Sequence, residues 1–327
     1  MKIKVKAPAK INLSLDILGR RPDGYHEISM VMQTIDLYDI VTITTDDSKK
    51  ITISCDYPGV PCDEKNIAYK AADLFFNYTR IDNPGVHIHI DKKIPTQAGM
   101  AGGSTDGAAV IVGLNKLFNT YLPVKTMMEI GSRLGADVPF CIEGGTQMAW
   151  GIGTDLKKVV SLPNCEIVVC KPPVSVSTAE AYALCDKMNF SHPPFTKELI
   201  KALYMRDMFA IPNSLYNDFE VALDLEEVKD VKRIMYKCKA RGACMTGSGS
   251  AAFASFALIG TPVTTITAAN KNARSLLVYF FIKYTLLSLY FYIVFDTTCY
   301  NFITPFLYNQ FTFLLINSTF FVHFYKF

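Results

Sequence analysis

The sequence predicts an α+β protein in two parts, and three observations carry that expectation. The chain has 327 residues, 50% of them hydrophobic and 19% charged, enough for two packed cores. Period-two apolar runs alternate along it with segments of helical spacing. A second block, starting near Ser161, brings its own strand, helices and closing glycine-rich turn. The expected division is residues 1–160, residues 161–257 and a tail over 258–327.

KIKVKA and INLSLDIL alternate with period two and are joined through Ala7-Pro8-Ala9. GRRPDGYHE is a turn cluster, and residues 40–55 read as a hairpin with a polar tip. Residues 66–78 have helical spacing, with Ile67, Ala71, Leu74 and Phe75 on one side. VHIHIDKKI is a strand. PTQAGMAGGSTDGAAVIVGLNKLF is a glycine-rich loop running into a helix, and MMEIGSRLG is a further helix ending at Gly135. In the second block CEIVVCKP is a strand and TAEAYALC a helix. A loop rich in Pro and Phe, the helix VKDVKRIMYKCKARG and MTGSGSAAFASF follow.

Composition narrows the function. The net charge of +3 is neither large nor clustered, so no nucleic-acid partner is expected. Nine cysteines with no CxxC pair, among them Cys165 and Cys170 in an apolar run, read as buried free thiols in a reducing, cytoplasmic compartment. The N-terminal residues carry no apolar run of signal-peptide length.

The strongest chemical signal is Ala98-Gly99-Met100-Ala101-Gly102-Gly103-Ser104-Thr105, opening an apolar helix. Glycines let backbone approach a ligand closely. A helix start offers free N–H groups and a positive dipole end to a phosphate. Ser104 and Thr105 can cap that helix or reach a phosphate or its metal. Alone, the loop reads equally as a tight helix entry, and it is neither a Walker A loop nor GxGxxG. His87 and His89 share a strand face, which raises a metal pair, but solvated histidines fit better without a third ligand. Lys92-Lys93 reads as a solvated pair that adds favourable potential for a phosphate, and Trp150 as packing.

Further segments join that loop. Pro8-Ala9-Lys10-Ile11-Asn12-Leu13, Gly135-Ala136-Asp137-Val138-Pro139 and Thr246-Gly247-Ser248-Gly249-Ser250 bracket it in order. Here residues 1–256 resemble the GHMP kinase superfamily of small-molecule kinases. PAKINLSLDILGRRPDGYHE, PTQAGMAGGSTDGAA and LGADVPF bring the match closest to its branch acting on a cytidine-diphosphate-linked methylerythritol.

The resemblance implies a ribosomal-S5-like N-terminal domain and a ferredoxin-like C-terminal one. It implies ATP-dependent phosphorylation, with Mg²⁺, of the 2-hydroxyl of 4-diphosphocytidyl-2-C-methyl-D-erythritol in the non-mevalonate pathway. Asp137 is then the base and Lys10 its cationic partner. Asn12, two residues beyond Lys10 and on the same strand face, orients the substrate or that lysine. Pro95, Thr96, Gln97 and the loop residues Ala98 to Thr105 hold ATP, with Asn66 beside its base. Tyr25 and His26 meet the cytidine, Thr178 the erythritol side, and Gly247 and Ser248 close over the phosphate and substrate region. The metal ligands and oligomeric state are left open. Another GHMP kinase, for mevalonate or homoserine, is the alternative, and Tyr25-His26 argues against it. An RNA-binding S5-like module would want a basic face and no paired Lys10 and Asp137.

The tail differs from the rest. The 53 residues from Ser275 hold 12 Phe, 7 Tyr and three charged residues, with no Gly or Ala. Residues 275–295 carry one charge and match the roughly 20 residues of a membrane span. A membrane-tethered or inactive relative is therefore one reading. The preferred one is a frameshift or read-through product that leaves the second domain truncated and no membrane partner.

Overall fold

The computed structural model describes residues 1–163, 165–188, 190, 192–258 and 321–326. They fall into two units: Met1–Thr96 with Met100–Ser161, and Gln97–Gly99 with Leu162–Phe327.

The first unit begins with two long antiparallel strands, β1 (Lys2–Arg20) and β2 (His26–Thr45). The two segments expected on either side of Ala7-Pro8-Ala9 form one strand. Proline, which lacks a ladder N–H, is accommodated by a register shift between Pro8 and Lys10. Further shifts at Asn12/Ser14 and Ile17/Gly19 accompany the change in which residues are buried.

The hairpin expected over residues 40–55 does not form. β3 (Ile51–Cys55) pairs in parallel with β4 (Val86–Asp91), and β4 lies between β3 and β2, antiparallel to β2 alone. Parallel neighbours need a crossover, and α1 (Ile67–Thr79) supplies it. β4 belongs inside the sheet because Val86, Ile88 and Ile90 are all fully buried on one face. The first half of β2 pairs instead with β5 (Thr146–Gly151), which carries β6 (Asp155–Lys158).

Four helices complete this unit: α1, α2 (Gly102–Leu117), α3 (Val124–Ser132) and α4 (Val138–Glu143). Val41, Ile43, Ile88 and Ile90 of the sheet share one core with Phe75 of α1, Val110, Ile111 and Leu114 of α2, Ile130 of α3 and Val138 of α4. Side chains of this size stabilise by roughly 1.5–3 kcal/mol each when buried. Trp150, expected as packing, is 37% exposed on β5.

The second unit contains β7 (Cys165–Lys171), α5 (Thr178–Cys185), α6 (Phe195–Met205), α7 (Ala210–Asn213), the two-residue β8 (Tyr216–Asn217), α8 (Asp218–Leu223), α9 (Glu226–Lys237), β9 (Gly242–Met245), β10 (Ala252–Leu258) and β11 (Phe321–Lys326). Its antiparallel sheet runs β11-β7-β10-β9, the 4-1-3-2 order of a ferredoxin-like plait. The Pro- and Phe-rich stretch expected as a loop contains α6. Pro194 stands at the N-cap, where a missing N–H costs nothing. α9 buries Val228, Val231, Ile234 and Met235, a single apolar stripe under charged residues. Cys165 and Cys170 are free thiols in β7, and burial pushes both up to about 12, which keeps them protonated and inert.

No helix among the described residues is long and apolar enough to cross a membrane. The candidate span at 275–295 lies outside the described residues, as does the expected tail of 258–327 apart from Leu258 and β11.

Candidate active site

The site in the first unit is built on β1. Asn12 is fully buried and Lys10 nearly so, and the Lys10 Nζ donates to Asn12 Oδ1 at 2.7 Å. Its ammonium also stands 3.9 Å from Asp137 Oδ2. Asn12 Nδ2 in turn rests on Met30 Sδ at 3.0 Å, so the amide is oriented from β2. Asp137 occupies the N-cap of α4 but makes no capping hydrogen bond, and its side chain is 31% exposed. An aspartate at that position ordinarily satisfies a helix N–H. Here the carboxylate faces the lysine and keeps lone pairs free for a proton.

The glycine-rich loop leads into α2 beside this pair. Lys10 N donates to Met100 O at 3.2 Å, and Thr105 Oγ1 donates to Pro8 O at 2.7 Å. The expected capping role for Ser104 and Thr105 is therefore corrected. The helix starts earlier, at Gly102, with Ala101 as a left-handed N-cap (φ 57°) that makes no side-chain cap bond. Thr105 is buried and its hydroxyl is committed to β1, whereas Ser104 stays half-buried. Pro95, Ala98 and Met100 are buried, Thr96 is half-buried, Gln97 is exposed, and Gly103 is the open position of the first turn. Asn66 caps α1, accepting from Ala68 N at 2.9 Å and donating to Pro61 O at 2.7 Å.

Lys92 is not the solvated residue the sequence suggested. Its ammonium contacts Asp39 Oδ2 at 2.5 Å and Asp106 Oδ2 at 2.7 Å, with all three side chains at most 3% exposed. Burial works against the Lys92 charge, yet Asp106 and Asp39 together hold it above its ordinary value. Burial also drives the Asp106 carboxyl upward, against the pull of Lys92. Lys93 remains exposed.

Tyr25 and His26 lie where the β1–β2 turn re-enters the sheet. Tyr25 N donates to Asp23 Oδ1 at 3.1 Å, Arg21 N donates to Tyr25 O at 2.7 Å, and Arg21 pairs with both Asp23 and Glu27. This fixes the turn while leaving Tyr25 61% exposed. His87 and His89 do share a face, but they hydrogen-bond Thr52 and Ser54. Among the described residues no group of three or more His, Cys, Asp or Glu side chains is arranged to hold a metal.

Within the second unit, Thr178 begins α5 behind a Ser177–Glu180 capping box, and its hydroxyl meets Ser248 Oγ at 2.9 Å. Gly99 and Gly247 press backbone to backbone: a Cβ on Gly99 would lie 2.1 Å from Thr246 O, and one on Gly247 2.6 Å from Gly99 O. Sequence reasoning missed Asn217, which is buried and donates to Met245 O at 2.8 Å and Gly247 O at 2.9 Å while capping α8. An Asn before an acidic, apolar run was the available cap signal.

The family model described as the GHMP kinases N terminal domain matches residues 66–145. The 4-diphosphocytidyl-2-C-methyl-D-erythritol kinase of Alkaliphilus metalliredigens is 44% identical over 253 residues, 77% of this chain and 87% of that one. Its counterpart in Clostridioides difficile is 46% identical over 266 residues, 79% of this chain and 90% of that one. A crystal structure of 4-(cytidine 5'-diphospho)-2C-methyl-D-erythritol kinase superposes with TM-score 0.68 at 30% identity, covering 84% of this chain and 96% of that one. A homoserine kinase from Cytophaga hutchinsonii, at 22% identity and TM-score 0.64, shares the fold. With identities of 44% and 46% across most of both chains, this chain belongs to the 4-diphosphocytidyl-2-C-methyl-D-erythritol kinase family of the GHMP kinases.

Proposed function

We infer that this chain is an ATP-dependent kinase that phosphorylates the 2-hydroxyl of 4-diphosphocytidyl-2-C-methyl-D-erythritol in the non-mevalonate route to isoprenoid precursors. One observation carries the reading from family to chemistry: the buried Lys10 ammonium, held by Asn12, faces an Asp137 carboxylate that caps nothing.

In this mechanism Asp137 Oδ2 takes the proton of the substrate hydroxyl. The hydroxyl oxygen bonds to the γ-phosphorus as the bond to the departing ADP oxygen breaks. Lys10 offsets negative charge as it develops on the reacting oxygens. The first turn of α2 suits the phosphates, because Gly103 is exposed and a Cβ there would meet only Ile67 Cδ1 at 3.5 Å.

Tyr25 offers the cytosine an exposed ring face, with His26 at its polar edge. Thr178 takes the erythritol side, Gly247 and Ser248 serve the phosphate and substrate region, and Asn66 lies beside the adenine. Mg²⁺, when bound with ATP, neutralises phosphate charge. The half-buried Ser104 hydroxyl is the loop oxygen suited to it, consistent with an ion that keeps most of its ligands from phosphates and water. A cytoplasmic location fits the free cysteines.

The test is Asp137→Asn. The variant should fold and bind ATP but turn over roughly 10²–10⁴-fold more slowly, since the shape survives and the base is lost. Near-normal turnover in a folded variant would remove Asp137 from the mechanism.

A further inference from the structure

The glycine-rich loop over residues 95–101 has both ends fastened to one buried ammonium. At its entry, Asp39 Oδ1 accepts from Lys93 N at 2.5 Å and Ile94 N at 2.7 Å, the two residues before Pro95. Asp39 Oδ2 accepts from Lys92 Nζ at 2.5 Å. At the exit, the same Nζ donates to Asp106 Oδ2 at 2.7 Å, in the second turn of α2. It also packs against the first residue of that helix, because a Cβ on Gly102 would lie 3.1 Å from Nζ.

We propose that Asp39, Lys92 and Asp106 form a buried charge cluster that sets the span of this loop, making Asp39 and Asp106 positioning residues for ATP. The inference rests on the kinase reading. Three features separate it from an ordinary core ion pair. The cluster joins three separate segments, β2, the β4–loop connector and α2, and its contacts straddle the loop. A lysine beside a helix N-terminus is electrostatically opposed to the helix dipole, so helix stability alone does not explain it. Two carboxylates also share one ammonium, and Asp106 Oδ1 is buried with no partner among the described residues.

The experiment compares ATP dissociation constants, by isothermal titration, and steady-state constants for the full chain, Asp106→Ala and Asp106→Asn. Asp106→Ala frees the loop exit and should weaken ATP binding and raise its KM by at least ~10-fold, in line with the sensitivity of catalysis to small displacements. KM for the cytidyl substrate should stay within about 3-fold. Asp106→Asn, which keeps an oxygen toward Lys92, should restore ATP binding to near the parent value. If Asp106→Ala does not fold, Asp39→Asn/Lys92→Met/Asp106→Leu removes all three charges together, keeps an oxygen for the Lys93 and Ile94 N–H groups, and is read the same way. A folded variant lacking the Lys92–Asp106 contact but binding ATP as the parent does would overturn the inference and leave the kinase reading intact. So would equal losses for both substrates. A parent chain that binds no ATP would overturn both.

Discussion

Replacing Gly99 and Gly103 by alanine, one at a time, separates the two reasons for glycine in the loop. At Gly99, φ is +71°, and an added Cβ would sit 2.1 Å from Thr246 O and 3.1 Å from Gly249 N. The first distance is more than 1 Å inside ordinary contact, and both neighbours are backbone atoms that cannot rotate away. The left-handed conformation costs roughly 1–2 kcal/mol for a residue with a Cβ, and the clash adds to it. A combined cost of about 2 kcal/mol or more is a ~30-fold loss in the population of the native loop. At Gly103, φ is negative and the Cβ would make an ordinary 3.5 Å contact with Ile67 Cδ1. Alanine there should be neutral or stabilising by up to about 1 kcal/mol. Thermal unfolding and initial-rate kinetics read the two together. Gly99→Ala should lower Tm and raise KM for ATP. Gly103→Ala should keep or raise Tm and still raise KM for ATP, because its methyl occupies the surface proposed above for the phosphates. Parental Tm and KM in Gly99→Ala would refute the packing of the two glycine-rich segments. An unchanged KM in Gly103→Ala would refute phosphate binding at the first turn of α2.

His26→Ala should weaken the cytidyl substrate by about 1–3 kcal/mol, the cost of an unmet polar edge, and ATP far less; equal losses for both ligands would make His26 structural. For Asp106→Asn the readout is pH. Burial raises the Asp106 carboxyl, so the native state keeps a proton that the unfolded chain releases. Stability is then fullest below the unfolded carboxylate pKa of about 4 and falls as pH rises through the elevated native value. The Asn variant should lose that slope, and parallel stability–pH curves for the two proteins would contradict the assignment. For the tail, resequencing the locus around codons 258–274 should reveal an alternative frame encoding a charged, amphipathic helix. An uninterrupted frame together with membrane recovery of the full-length protein would favour an anchor.

The sequence made local chemistry legible and long-range chemistry opaque. Lys10 and Asn12 alternate on a strand, so their shared face follows from period two, and α5 follows from the Ser177–Glu180 cap. Motif resemblance joined Asp137 to Lys10, whereas the Thr178–Ser248 contact emerged only with the structure. Nothing comparable exposed the Lys92 cluster. Two adjacent lysines look solvated, and the partners Asp39 and Asp106 are 53 and 14 residues away. The β3 error has the same origin. A polar tip between two short apolar runs imitates a hairpin, while the true neighbour, β4, arrives only after α1. Ser104 and Thr105 misled because hydroxyls at a helix start usually cap. Here Ala101, in a left-handed conformation, lets the helix begin before them. Pro193, Pro194 and Phe195 read as loop although Pro194 begins a helix.

ATP consumption by the full chain, with 4-diphosphocytidyl-2-C-methyl-D-erythritol, mevalonate and homoserine offered in parallel, tests the central claim most directly. On the proposed mechanism the Lys10–Asp137 pair acts on an acceptor hydroxyl without reading the rest of the molecule, so selectivity falls to the exposed Tyr25 and its neighbour His26. The account predicts ADP formation with the cytidyl substrate and rates with the other two at least ~100-fold lower, as expected when a site built for a polar base edge meets acceptors lacking one. Comparable rates with mevalonate or homoserine, or no ADP formation with the cytidyl substrate, would contradict it.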